Sequence, residues 1–193
     1  MATMRALRQI NPLASTAAIL PKHELAFDIR GTAFLEPSAA SVRPNPAATS
    51  VGMNGVLYTL TPEDFSRVMT TEGVPFVYRL LRCRPIPYKG NSQDAGLRAF
   101  LQDNNNNKRV DAFCLTATTT TTTTTTTTRA TKKNDIPPSK SYMSVLQRGA
   151  REFQLDASYQ LVLKQYKVDP YALGGSAEAL DLAERVDRGT WFW

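Results

Sequence analysis

The chain has 193 residues, 42% of them hydrophobic and 21% charged, enough for one ordinary domain and tight for two. No run approaches the roughly 18 to 20 consecutive apolar residues of a membrane-spanning helix. The single histidine, His23, excludes a metal centre built on two or three histidines. Cys83 and Cys114 are too few for a disulfide framework or a four-thiolate site. Neither stands in a CxxC pair, so free thiols in a reducing compartment are expected. The net charge of +6 invites a nucleic-acid reading. The cations are nevertheless spread along the chain, densest at Arg79, Arg82 and Arg84 and at Lys108, Arg109, Arg129, Lys132 and Lys133. No aromatic residues interleave with them on a repeat, and the charge reads as solvated surface.

From Met1 to His23 there is no acidic residue, a composition that organellar transit peptides share. Ala17–Leu20 and Leu25–Ile29 nevertheless read as short strands bounded by Pro21 and Gly31, already part of a folded domain. The stretch from Phe34 to Pro46, with Pro37, Pro44 and Pro46, reads as a long connector. Met53–Leu60 alternates as a strand, with Val56, Tyr58 and Leu60 on one face. A helix should start at Thr61, a good N-cap, with Pro62 where the missing N–H costs nothing and Glu63 and Asp64 at the positive end. Phe65, Val68 and Met69 would be its buried stripe, and Gly73 its terminator.

Val74–Arg84 and Arg109–Leu115 read as two further strands. Two biased segments bracket the second: Asn104–Asn107, and an unbroken threonine run from Thr118 to Thr128 within a low-complexity loop spanning 116–135. The strongest helix begins after Pro137 and Pro138, capped by Ser139, with Tyr142, Val145, Leu146, Gly149, Ala150 and Phe153 on one face. A second amphipathic piece, Ser158–Tyr166, presents Tyr159, Val162, Leu163 and Tyr166. One domain over 1–173 and a tail over 174–193 complete the reading. The terminal Trp191, Phe192 and Trp193 are apolar enough to be expected on the domain surface.

One carboxylate stands out. Glu72, in "TTEGV", lies between a helix C-terminus and a strand, where the negative end of the helix dipole disfavours an ionised carboxylate. That is the setting a general acid/base needs. Around it, "GVLYTLTPEDFSRVMTTEGV" (Gly55–Val74), "PSKSY" (Pro138–Tyr142) and "GAREFQLDASYQ" (Gly149–Gln160) resemble the gamma-glutamylcyclotransferase family. The resemblance reaches over most of residues 8–166, interrupted by the Asn and Thr insertions.

The resemblance implies a mixed α/β fold, a small barrel-like mixed sheet flanked by helices. It implies conversion of a γ-glutamyl amino acid or amine into 5-oxoproline and the free amine, with no cofactor and no metal. Glu72 would be the catalytic carboxylate, and Tyr142 and Tyr78 would contact substrate. The partner would be a small γ-glutamyl compound rather than nucleic acid or membrane, in the cytoplasm, with a homodimer as a further option. The chain departs from the family at one place. The family's "YGSN"-type loop, whose backbone N–H groups hold the substrate, has no counterpart in the sequence. The expectation is therefore either a fragment or a variant without the loop.

Overall fold

The computed structural model describes residues 10–32, 35–45, 52–89, 94–103, 108–118 and 135–174. The asparagine run, all but the first of the threonines, residues 1–9 and the tail from 175 onward lie outside them.

Strand β1 (Ala14–Leu20) lies at the centre of a three-stranded sheet. Its last four residues are all buried, as expected of a strand covered on both faces. On one side it pairs antiparallel with β4 (Met53–Thr59), Ala17 opposite Val56. On the other it pairs with β6 (Ile86–Tyr88), a short strand between Pro85 and Lys89. The N-terminal segment from Ile10, which is fully buried, is thus part of the folded structure.

Strands β2 (His23–Thr32) and β3 (Glu36–Pro44) form an antiparallel ribbon. This corrects the expected connector over Phe34–Pro46. Pro37 and Pro44 sit near the ends of β3, and the residues between them, Ser38 to Arg43, keep every N–H for pairing. Their side chains, Ser-Ala-Ala-Ser-Val-Arg, show no apolar alternation, so the ladder is imposed by β2 rather than announced locally. The register slips between Ala26, opposite Ser41, and Ile29, opposite Ala39. This bulge turns Phe27 into the core, 1% exposed, and lets its carbonyl take the Ile136 N–H at 2.8 Å.

The third pair is β5 (Tyr78–Cys83) with β7 (Ala112–Ala117). β5 begins four residues later than expected because Gly73–Val77 form a turn. β7 begins three residues later because Arg109 is held back by Asp103, Nε to Oδ2 at 2.7 Å. Arg82 and Arg84 share Asp111 at 3.6 and 3.8 Å, so the densest basic group is partly neutralised on the surface.

Four helices occur among the described residues. In α1 (Pro62–Thr71) the Thr61 hydroxyl caps the Asp64 N–H at 3.1 Å, as the sequence predicts. Its expected buried stripe is only half-buried. Phe65 packs on Phe113, ring centroids 6.1 Å apart, and Phe113 is itself 57% exposed. Helix α2 (Ala95–Leu101) was not anticipated; Asp156 caps it from a distant part of the chain. Helix α3 (Lys140–Glu152) starts at Ser139, whose hydroxyl accepts from Tyr142 N at 3.0 Å. Its buried face centres on Met143 and Ala150, and Val145, expected in the stripe, is 40% exposed. Helix α4 (Ala157–Gln165) buries Leu163 but leaves Val162 outward. The core joins Ile19, Phe27, Ile86, Tyr88, Met143 and Leu163. Among the described residues no helix is long and apolar enough to cross a membrane.

Candidate active site

Glu72 is the C-cap residue of α1, at φ −90° and ψ 0°. Its N–H still donates to Val68 O at 2.9 Å, so the carboxylate is carried on the last helical turn. The chain then reverses at Gly73, whose φ of +67° a side chain would strain. The Gly73 carbonyl accepts from both Phe76 N and Val77 N at 2.8 Å. Thr118, just past β7, fastens the turn: its N–H donates to Val77 O and its hydroxyl to Pro75 O, each at 3.1 Å. Glu72 is half-buried and borne by a loop anchored at both ends.

Tyr78 follows at the start of β5, 7% exposed. Its hydroxyl donates to Ala40 O at 2.9 Å. Tyr142, in the first turn of α3, receives the Ala40 N–H on its hydroxyl at 3.3 Å. Ala40 lies opposite the bulge and has no registered partner in β2, so the two tyrosines satisfy backbone groups that the ladder leaves over. The structure thus brings Tyr78 and Tyr142 together on β3. Glu72 is not a party to those two bonds; it stands at the other end of the turn that leads into Tyr78.

Glu36, also on β3, fixes the start of α3. Its carboxylate accepts from Ser139 N at 2.9 Å and from the Ser139 hydroxyl. Gly174 packs so closely on this point that a Cβ there would lie 2.5 Å from Ser139 Oγ. Sequence reasoning missed Glu36 and Ala40 because both lie in the supposed connector.

A second buried polar cluster also escaped it. Asp156 accepts from Gly96 N at 2.8 Å and Leu97 N at 2.9 Å, and the Tyr88 hydroxyl donates to Asn54 Oδ1 at 2.5 Å. Burial, and then the Asp156 charge, push the Tyr88 phenol well above its ordinary pKa. The aspartate in "QLDAS" is the one sequence signal that could have found it, as a helix-capping residue type. The two cysteines are free and stand diagonally on β5 and β7, where Cys83 pairs with Ala112 and Leu81 with Cys114. Their mutual hydrogen bond, reinforced by burial, keeps the Cys114 thiol protonated.

No family model matches the sequence. Among characterised proteins, the chain is 29% identical over 164 residues to the gamma-glutamyl cyclotransferase gliK of Claviceps purpurea, covering 83% of this chain and 63% of that one. It is 32% identical over 94 residues to verK of Clonostachys rogersoniana, also named a gamma-glutamyl cyclotransferase, covering 42% of this chain and 52% of verK. Among solved structures, a gamma-glutamyl cyclotransferase superposes with a TM-score of 0.60 at 17% identity, covering 96% of this chain and 92% of that one. The crystal structure of an uncharacterized human protein matches with the same TM-score of 0.60 at 18% identity, over 92% of this chain and 88% of its own. The chain is similar in sequence to gamma-glutamyl cyclotransferases and shares the fold of one. It spans about three-fifths of the Claviceps cyclotransferase and about half of verK. The superpositions establish the cyclotransferase-like fold; among the described residues its strands are divided among three antiparallel sheets.

Proposed function

We propose that the chain closes a γ-glutamyl compound into 5-oxoproline, releasing the attached amine, with Glu72 as the general acid/base. The observation that carries this reading is the position of Glu72. Within a chain similar to this family, the "TEGV" carboxylate stands on an anchored turn, half-buried, at a helix end.

The chemistry asks little of the protein. The substrate's α-amine attacks its own γ-carbonyl carbon, the new C–N bond closes a five-membered lactam, and the bond to the departing nitrogen breaks. Because nucleophile and electrophile share one molecule, positioning supplies much of the acceleration. One carboxylate can relay the protons: the attacking nitrogen, an ammonium in the free substrate, sheds two protons on its way to the lactam N–H, and the leaving nitrogen takes up both and departs as an ammonium. Tyr78 and Tyr142, held on Ala40, would wall the substrate. The test is 5-oxoproline release from γ-glutamyl-alanine by the wild type beside Glu72→Gln.

A second reading is a non-catalytic family member that keeps the fold. It is favoured by one observation, the lack of a YGSN-type segment in the sequence. Loss of a single oxyanion donor commonly costs on the order of 100- to 1000-fold in rate. That reading predicts no release in either protein.

A further inference from the structure

A cavity of about 310 Å³ lies between strand β4 and helices α3 and α4, a volume typical of small-ligand sites. Its walls are mostly apolar: Val56 and Tyr58 from the strand, Leu146 and Phe153 from α3, Tyr159 and Leu163 from α4. Glu72, Tyr78 and Tyr142 are not among them.

Four features favour a space kept open for a ligand over one left by loose packing. Gly149 faces it from mid-helix, and a Cβ there would meet nothing within 4 Å. A glycine in a helix interior is unfavourable relative to alanine, and no neighbour requires it. Asn54 lines the cavity and is 6% exposed. Its amide orientation is fixed: the Tyr88 hydroxyl accepts from Asp156 N at 3.4 Å and so gives its own proton to Asn54 Oδ1. The Nδ2 donors of Asn54 are left without a partner among the described residues. The Tyr159 hydroxyl likewise makes no hydrogen bond there, and burial, which raises its pKa, keeps it protonated and a donor. At the mouth stands Arg148, exposed and without an ion pair or hydrogen bond among the described residues.

We propose that this cavity binds a small carboxylic acid with an aromatic or similarly sized apolar body and a neutral oxygen at its far end. The carboxylate meets Arg148, the body fills the space beside Gly149, and the far oxygen accepts from Asn54 and Tyr159. A second negative charge at the inner end is disfavoured because the Asp156 carboxylate lies just behind Asn54, within the same cluster.

Titration calorimetry on the full chain tests this with three probes: 3-(4-hydroxyphenyl)propionate, 3-phenylpropionate and 2-(4-hydroxyphenyl)ethanol. The hydroxy acid should bind, and each analogue lacking one polar end should bind about tenfold more weakly, as expected for one lost hydrogen bond to a buried or charged group. Arg148→Gln should weaken the acid about tenfold and leave the alcohol unchanged. Gly149→Leu should abolish binding. Should Gly149→Leu fail to fold, Val145→Trp, placed at the exposed mouth, should block entry while circular dichroism stays native. Absence of binding to the wild type overturns the proposal. So does binding that persists in a folded Gly149→Leu or Val145→Trp protein, or that ignores Arg148→Gln.

Discussion

Tyr78 and Tyr142 spend their hydroxyls on the two backbone groups of one residue: Tyr78 donates to Ala40 O at 2.9 Å, and Tyr142 accepts from Ala40 N at 3.3 Å. They come from a strand and a helix far apart in sequence, and the bulge opposite Ala40 leaves both groups for them. Each phenylalanine substitution strands one part-buried backbone group. Tyr78→Phe and Tyr142→Phe should each lower stability by about 1–2 kcal/mol. In a double-mutant cycle by urea denaturation the two should be non-additive, because they share Ala40. Strict additivity would mean the bonds do not form a unit.

Glu36 should matter more than its loop-like sequence suggests. Glu36→Ala removes the acceptor for Ser139 N–H at the start of α3, where Ser139 is fully buried. A loss of about 2 kcal/mol is expected in denaturant unfolding, the cost of an unsatisfied buried donor plus a cap. Glu36→Gln, which keeps an acceptor, should recover part of it.

How much of this could be read in the sequence follows from where the information sits. The caps at Thr61 and Ser139, the alternation of β4 and the motif around Glu72 are local patterns, and each appears where expected. Strand β3 was missed because Ser38 to Arg43 carry no apolar alternation and depend on β2 for their ladder. Helix α2 was missed because its cap, Asp156, lies 60 residues away from Gly96. Spacing alone places Val145 and Val162 inward; α3 turns Met143 to the core in place of Val145, and of the α4 stripe Leu163 is buried as expected while Val162 is exposed. Of the candidate site, the residue types were local and legible; the frame that holds the tyrosines, Ala40 at a bulge, is a product of strand register.

Gly96 is enclosed: a Cβ there would lie 2.7 Å from Asp156 Oδ2 and 2.7 Å from Tyr88 Cε1. Gly96→Ala should therefore destabilise by about 1–3 kcal/mol despite the helical setting, since the crowded groups are buried. An unchanged melting temperature would contradict the packing described for Asn54, Tyr88 and Asp156.

Asp103 supplies a pH-dependent term. The hydrogen bond from Arg109 holds its carboxyl below the usual carboxylate range. A carboxyl depressed in the folded state stabilises above its unfolded pKa of about 3.9. That stability is lost as pH falls from there through the folded value. Asp103→Asn should flatten the acid limb of a stability-against-pH curve and leave the neutral-to-alkaline limb unaltered.

The central claim concerns Glu72. The most direct measurement is 5-oxoproline release from γ-glutamyl-alanine, followed for the wild type and for Glu72→Gln, with circular dichroism confirming that both are folded. Release by the wild type that falls on the order of 100- to 10,000-fold in Glu72→Gln, the usual range for a general acid/base, is the predicted result. Release that Glu72→Gln leaves intact, or no release by the folded wild type, would contradict it.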